Sequence, residues 1–283
     1  MVKLSNSKRS KRSKRSNRQN NRLNNRLNNR LSNRLSNRRR SKEKVFYSEK
    51  TIIQNTRTRG CYKSNDALVD KLSTDKFTKN ALRMVDRRPF CVYEENCYCD
   101  SPSPLILEQT ISAPHMHAKA IEYLQEKLVP GASVLDIGSG SGILTAVYGK
   151  LVGVDNKISK KRGKVVGIEL HQGLVNMSIQ TIKKNYPELF KYSSSFKILQ
   201  GSGWDGYPKK SKKGRYDAIH IGALADSIPM NLINQLKSDG VMLLPLKLGD
   251  NNYFCIITKD KDDNVLIDPR ESVRYVPLVK EKK

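Results

Sequence analysis

The chain has 283 residues, with 53 Lys and Arg against 27 Asp and Glu, a formal net charge of +26 and 37% hydrophobic residues. A chain of this length is expected to form one or two domains with enough apolar material for a core. Its apolar runs fall short of the ~18–20 residues that a membrane-spanning helix needs, and its N-terminus lacks the apolar core of a secretory signal, so we expect no membrane association.

Residues 1–44 form a basic low-complexity tail with 17 Lys and Arg and one acidic residue, Glu43; its net charge is +16, and the rest of the chain carries +10. A Lys-Arg-Ser triplet repeat precedes an Asn-Arg-Leu repeat with a period of four. Because like charges repel and isolated leucines cannot offset chain entropy, we predict disorder. Four interpretations stay open: a nuclear import signal, a tether to nucleic acid or another anionic surface, a mitochondrial presequence, and a repeat without a selected role.

Residues 45–100 are predicted to be a polar and mostly helical segment that precedes the main body of the chain. Apolar residues at helical spacing predict a helix over 65–72, capped by Asn65, and a second short helix over 78–85, which Pro89 ends. A turn cluster at 100–104 follows, and a further helix is predicted over 118–128.

The cysteines are odd in number and sparse. No Cys-x-x-Cys pair occurs, and the one-residue spacing of Cys97 and Cys99 suits neither a zinc ribbon nor a disulfide framework. We therefore expect reduced thiols. The five positions are Cys61, Cys91, Cys97, Cys99 and Cys255.

From residue 132 onward, short apolar strands alternate with helical segments. The predicted strands cover 134–137, 164–169, 196–200, 216–221, 241–245 and 253–258, and the predicted helices cover 143–151, 172–184 and 230–236. This rhythm is typical of an α/β fold with a doubly wound, mostly parallel sheet and helices on both faces. The last two strands are close in sequence, which predicts an antiparallel C-terminal edge. Basic loops at 156–162 and 209–213 are expected to be solvated.

A glycine-rich loop, residues 138–142, follows the first of these strands and opens a helix. Its spacing is not the G-x-G-x-x-G of dinucleotide binders, and no P-loop lysine follows. Glu169 ends the next strand, where a carboxylate can accept both hydrogen bonds from a ribose diol. The loop and this acid together favour S-adenosylmethionine over a phosphate ligand, and the alternative is a tight turn without a ligand.

The segment 109–118 brings Ser112, His115 and His117 close together just before the first sheet strand. Two histidines two residues apart, without a nearby third ligand, argue against a metal site. No carboxylate partner for a hydrolytic triad is evident, so nucleophilic serine catalysis is disfavoured. We expect this segment to fold over the glycine loop.

Residues 110–118, together with 135–146, 216–223 and 275–278, closely resemble the protein-L-isoaspartate O-methyltransferase family, and the likeness covers about 65–283. The resemblance implies a Rossmann-like S-adenosylmethionine-dependent methyltransferase fold. Together with the composition of the tail 1–44, this predicts one methyltransferase domain over 45–283, with an N-terminal helical and loop part over 45–110 and a cofactor-binding core over 111–283.

The activity that the resemblance implies is methyl transfer from S-adenosylmethionine to the free carboxylate of L-isoaspartyl residues in damaged proteins and peptides, which initiates repair to aspartyl residues. Ser112 is then the active-site residue, whose hydroxyl orients the carboxylate. His115 and His117 are shape and hydrogen-bonding elements rather than bases, because an ionised carboxylate and a sulfonium leaving group need alignment more than proton transfer.

The same resemblance implies cofactor contacts and no metal. The implied cofactor-binding residues are Gln109, Thr110, Ile111, His117, Asp136, Gly138, Ser139, Gly140, Ser141, Glu169, Leu170, Ser202 and Gly203. Two positions depart from the family pattern: Ser202 replaces an aspartate that would accept from the adenine amino group, and Val279 replaces a threonine near the C-terminus.

Two other functions stay open at this point. One is a methyltransferase-fold protein that its basic tail tethers to nucleic acid and that methylates another substrate such as RNA; the other is a cofactor-binding adaptor without turnover. We expect a cytoplasmic monomer. Because of the basic tail, a nuclear location is the alternative, and the expected partners of the tail are import receptors or nucleic acid.

Overall fold

The computed structural model describes residues 45–47, 60–209 and 215–279. The predicted tail and most of the basic loop at 209–213 lie outside these residues. The helices are α1 (Asn65–Lys71), α2 (Lys76–Arg83), α3 (Pro114–Leu124), α4 (Ile143–Val152), α5 (Gln172–Asn185) and α6 (Met230–Gln235). The strands are β1 (Val45–Tyr47), β2 (Ser103–Pro104), β3 (Thr110–Ile111), β4 (Ser133–Ile137), β5 (Lys164–Glu169), β6 (Phe196–Gln200), β7 (Tyr216–Ile221), β8 (Leu236–Leu248), β9 (Asn251–Lys259) and β10 (Val265–Ser272).

Eight strands form one mixed sheet in the order β1-β10-β9-β8-β7-β4-β5-β6, and β2 pairs with β3 separately. The strands from β8 to β6 are parallel, while β9 is antiparallel to both of its neighbours. The chain reverses its direction of winding at β4, which pairs with β5 on one side and with β7 on the other. This arrangement confirms the doubly wound, mostly parallel sheet with an antiparallel C-terminal edge.

Two separate apolar clusters cover the two faces of the sheet. Because successive side chains of a strand point to opposite faces, Val134 of β4 belongs to one cluster and Leu135 to the other. Helices α3, α4 and α5 contribute to the first cluster, and α6 contributes Leu232 and Ile233 to the second. None of the helices in the described part of the chain has the length and hydropathy needed to cross a bilayer.

Strand β1 pairs with β10 in the stretch 45–100, which was expected to be mostly helical, and the other main differences lie near the C-terminus. Strand β8 begins at Leu236, which was expected to end the preceding helix, because Leu236 pairs with Tyr216 at the start of β7. Strand β10 was not predicted at all. Pro269 interrupts the apolar alternation of this segment in the sequence. In the structure, the pairing of β10 with β9 is irregular between Pro269 and Ser272.

The predicted caps and helix starts were partly wrong. Ser64, and not Asn65, caps α1: its hydroxyl accepts a hydrogen bond from the backbone N–H of Ala67 at 3.2 Å. Helix α3 begins at Pro114, four residues before the predicted start, because proline is well suited to the first helical position. His115 and His117 are therefore on a helix, and not in a loop over the glycine loop.

The expectation of reduced thiols was wrong for two cysteines. Cys61 and Cys99 form a disulfide although 38 residues separate them. An isolated antiparallel bridge joins their two segments, in which the backbone N–H of Tyr62 donates to the carbonyl of Tyr98 at 3.0 Å. The spacing of cysteines along the chain could not reveal this pairing, because the tertiary structure brings the segments together. The free thiols are Cys91, Cys97 and Cys255.

Candidate active site

A cleft opens at the edge of the sheet where the strands β4 and β7 have their carboxyl ends. Ligands bind at this edge in open α/β sheets, where the strand order reverses. The predicted site residues that line the cleft are Thr110, Ile111, Ser112, His117, Asp136, Gly138, Ser139, Gly140 and Ser141. Its remaining lining residues are Ile143, Leu144, His220, Gly222 and Tyr275.

The glycine loop is fixed against β5 by its own backbone. The N–H groups of Gly138 and Ser139 both donate to the carbonyl of Ile168, at 2.8 and 3.1 Å. Gly142 closes the loop with φ of +86°, and a Cβ atom there would lie 2.9 Å from the Cβ of Ser178. Glycine is therefore required at this position for both conformational and steric reasons.

Glu169 lies directly beside the loop, at the end of β5. Its buried carboxylate accepts hydrogen bonds from the backbone N–H groups of Gly140 and His171, each at 3.0 Å. Since each carboxylate oxygen can accept more than one hydrogen bond, both oxygens keep capacity for a further donor. The acid and the loop therefore form one unit that can bind a polar ligand.

Asp136 and His220 form a buried pair on adjacent strands, because β4 and β7 place them directly opposite each other. The Oδ1 of Asp136 lies 2.8 Å from the Nδ1 of His220, and its Oδ2 accepts from the hydroxyl of Thr145 at 2.5 Å. A carboxylate only accepts, so the Nδ1 of His220 carries a proton. The Nε2 of His220 is buried without a hydrogen-bond partner among the described residues, which leaves it available in a side chain that lines the cleft.

Ser112 comes directly after β3 and is half-buried. Its side chain lies beside the phenol of Tyr275, whose ring packs against Phe254 with centroids 5.5 Å apart. Burial raises the pKa of Tyr275 well above its ordinary value, and the neighbouring Ser112 hydroxyl opposes that shift. Tyr275 is therefore a neutral phenol beside the serine hydroxyl.

His117 is buried in the first turn of α3. Burial lowers its pKa well below the ordinary range, and electrostatic interactions with Arg87, His220 and His115 lower it further. The imidazole is consequently neutral at pH 7. His115 does not line the cleft, since its Nδ1 pairs with the carboxylate of Asp100 at 2.8 Å.

Five predicted site residues are not among those that line the cleft: Gln109, Glu169, Leu170, Ser202 and Gly203. The Gln109 amide donates to the carbonyl of its neighbour Leu107 at 3.2 Å, and the Leu170 carbonyl accepts from the side chain of Gln200 at 3.2 Å. Ser202 is buried just beyond β6, and a Cβ at Gly203 would lie 2.5 Å from Ile137. The roles of these residues stay predictions.

Sequence reasoning missed His220 and Tyr275 as site residues. His220 stands within an apolar strand, where a lone histidine carries no local sign of function, and Tyr275 comes from the far C-terminal segment. A signal was nevertheless available, because both residues lie in segments that carry the family resemblance.

Three comparisons describe what the chain is similar to. The family model of protein-L-isoaspartate(D-aspartate) O-methyltransferases matches residues 63–283. Protein-L-isoaspartate O-methyltransferase 2 of Arabidopsis thaliana is 38% identical over 208 residues, which are 72% of this chain and 63% of that relative. Protein-L-isoaspartate O-methyltransferase 1 of the same plant is 37% identical over 223 residues, 76% of this chain and 90% of the relative.

A solved structure is also similar. It is the crystal structure of a protein-L-isoaspartate O-methyltransferase from Plasmodium falciparum in complex with S-adenosyl-L-homocysteine, with a TM-score of 0.71 and 32% sequence identity. The match covers 78% of this chain and 100% of that one.

Proposed function

Because the chain belongs to the protein-L-isoaspartate O-methyltransferase family, we propose that the cleft beside the glycine loop is where it performs the family's reaction. The enzyme transfers a methyl group from S-adenosylmethionine to the free carboxylate of L-isoaspartyl residues in damaged proteins, which initiates their repair to aspartyl residues. The observation that carries the assignment of the site is that the glycine loop, to which Glu169 is hydrogen-bonded, and Ser112 meet at one cleft. Methylation of RNA is not favoured.

The residues present fit S-adenosylmethionine. The cleft combines backbone and polar side chains with apolar walls from Ile111, Ile143 and Leu144, the mixture that is usual for small-molecule sites. The loop 138–141 presents small side chains and backbone, and Glu169 keeps acceptor capacity for a ribose hydroxyl. When bound, the cofactor supplies a methyl group on a positively charged sulfur.

The protein's part in the transfer is alignment. A substrate carboxylate with a pKa near ~4 is already ionised at pH 7, so no base is needed to activate it. The neutral phenol of Tyr275 would donate to the Ser112 oxygen, which leaves the Ser112 proton free for one oxygen of the acceptor carboxylate and so orients the other oxygen. The neutral imidazole of His117 is a hydrogen-bonding group that lines the cleft, and it removes no proton.

Replacing Ser112 by alanine is expected to lower kcat for methylation of an isoaspartyl peptide roughly 10- to 100-fold, the size of effect that one lost hydrogen bond to a charged group produces. The affinity for S-adenosylhomocysteine should change less than about twofold, because the hydroxyl aligns the acceptor and not the cofactor. Radiometric transfer assays and calorimetry measure the two quantities.

Ser112→Thr is the matched control, since it keeps a hydroxyl on the same carbon atom. We expect it to retain more activity than Ser112→Ala. Equal loss of cofactor affinity and activity in the alanine variant would contradict the aligning role, as would identical activities of the two variants.

We further propose that residues 45–283 are one catalytic domain and that residues 1–44 are a separable address or tether, which binds import receptors or nucleic acid. The tail's net charge of +16 supports this division. The enzyme acts as a monomer on isoaspartyl proteins in the cytoplasm, and an import-competent tail extends its range to the nucleus.

A further inference from the structure

We infer that Arg87 is a positioning residue for the methyl acceptor. Its buried guanidinium holds His117 in the tautomer that has an N–H group on the cleft side. The same guanidinium supplies the positive charge that favours a carboxylate in the cleft. This inference rests on the proposed function. Arg87 does not line the cleft itself, so it acts through the two cleft residues that it contacts, His117 and Ser112.

Arg87 fixes the tautomer of His117. The side chain of Arg87 is 3% exposed, and its Nη1 lies 3.3 Å from the Nδ1 of His117. A guanidinium can only donate, so this Nδ1 must be the acceptor, and the proton of the neutral imidazole is on Nε2. No described residue makes a hydrogen bond to that Nε2. His117 lines the cleft, and its unused N–H is therefore suited to an anionic acceptor.

Arg87 also fixes the backbone of the active-site serine. Its Nη2 donates to the carbonyl oxygen of Ser112 at 2.8 Å. The same guanidinium thus joins the end of β3 to the first turn of α3, the two elements that carry the serine hydroxyl and the imidazole. Both groups would face the acceptor carboxylate, and one side chain sets their separation.

The charge of Arg87 is not neutralised by a nearby acid. Among residues 60–209 and 215–279 no carboxylate forms an ion pair with it, and its Nε is buried without a partner. Burial lowers the pKa of Arg87. Electrostatic interactions with Cys91, Cys97 and Asp100, together with a side-chain contact with Cys91, oppose this shift. Arginine stays protonated nonetheless.

Burying a charge without an ion-pair partner is costly, and such groups are candidates for functional sites. An uncompensated cation beneath Ser112 and His117 favours an anion in the cleft over a neutral group. The bound carboxylate of the acceptor would complete the ion pair that the protein itself leaves open.

Three variants test the inference on the full-length enzyme. Arg87→Met removes the charge and the donors, Arg87→Lys keeps the charge but loses the forked geometry, and Arg88→Met removes the exposed neighbouring arginine as a control. Methyl transfer to a synthetic isoaspartyl peptide is measured against both peptide and S-adenosylmethionine concentration. Circular dichroism and S-adenosylhomocysteine binding report whether each variant is folded.

In Arg87→Met we expect KM for the peptide to rise at least about tenfold while KM for the cofactor changes less than about threefold, the pattern of a lost charged contact to one substrate. Arg87→Lys should lie between Arg87→Met and the wild type, and Arg88→Met should match the wild type. Equal rises of both KM values in Arg87→Met, or equality with Arg88→Met, would overturn the inference.

The pH profile separates positioning from mere structural support. His117 faces Arg87, His115 and His220, and loss of the Arg87 charge leaves burial and the two imidazoles to lower its pKa. Loss of that charge therefore raises the His117 pKa relative to the wild type, although burial still holds it below its ordinary value, and the acid limb of kcat/KM moves to higher pH. His117→Gln, added to Arg87→Met, should abolish this shift. A profile unchanged from the wild type would count against the inference.

A direct observation of the tautomer does not depend on activity. In ¹⁵N-labelled wild-type enzyme, two-bond ¹H–¹⁵N spectra should show His117 protonated on Nε2, and Arg87→Met should show a mixture. Protonation on Nδ1 in the wild type would refute the role assigned to Arg87. Absence of wild-type transfer to the isoaspartyl peptide would instead refute the proposed function and leave the tautomer result standing.

Discussion

Asp136→Asn is expected to lower kcat/KM for isoaspartyl methylation roughly 100-fold or more, about 2.7 kcal/mol of transition-state stabilisation. Asp136 accepts from the Nδ1 of His220 and from the hydroxyl of Thr145 at the same time. An asparagine has one acceptor oxygen, so one of the two partners would face an N–H group instead. If that partner is His220, its tautomer is reversed in the cleft; if it is Thr145, a buried hydroxyl must reorient.

Asp217→Asn is the matched control, because Asp217 lies on β7 at the opposite end from His220. It accepts from the backbone N–H of Ser133 and from the side chain of Lys237, each at 2.8 Å. The substitution should cost some stability while kcat/KM stays within about twofold of the wild type. A loss of activity in Asp217→Asn as large as in Asp136→Asn would show that any perturbation of these strands has the effect.

The second large effect is on stability. Gly142→Ala is expected to lower the free energy of unfolding by roughly 2–4 kcal/mol, because φ is +86° there and the new Cβ would lie 2.9 Å from the Cβ of Ser178 and 3.1 Å from the Cδ1 of Ile182. For a domain of this size, the melting temperature should fall by roughly 5–15 °C. Denaturant titration and calorimetry measure both quantities.

Gly249→Ala separates the backbone effect from the steric one. Gly249 has φ of +65°, but no atom lies within 4 Å of the Cβ that alanine would add. We therefore expect a loss of only about 1 kcal/mol. Equal destabilisation by the two variants would mean that close packing of the glycine loop against α5 contributes nothing.

Local sequence patterns were sufficient for the centre of the fold. Strand β4, the glycine loop and the start of α4 fall within one residue of their predicted positions, because buried strands are short apolar runs and glycines mark the tight turn. Strand β10 escaped prediction since Pro269 interrupts its pattern and only pairing with β9 makes it a strand. Tertiary context decided the outcome there.

Some features of the site could also be predicted from local sequence patterns, and others could not. The loop and Glu169 are contiguous with predicted strand ends, so topology alone brings them together. The pair of Asp136 and His220 joins residues 84 apart and depends on the register of β4 with β7. The contact of Arg87 with His117 joins residues 30 apart, one in the segment that follows α2 and the other in α3, and no spacing along the chain encodes either contact.

Methylation of isoaspartyl carboxylates at this cleft is tested most directly by tritiated methyl transfer from S-adenosylmethionine to an isoaspartyl peptide, beside the same peptide with a normal aspartyl residue. We expect a base-labile methyl ester on the isoaspartyl peptide and none above background on its twin. No ester on the isoaspartyl peptide, or equal labelling of the two peptides, would contradict the proposed function.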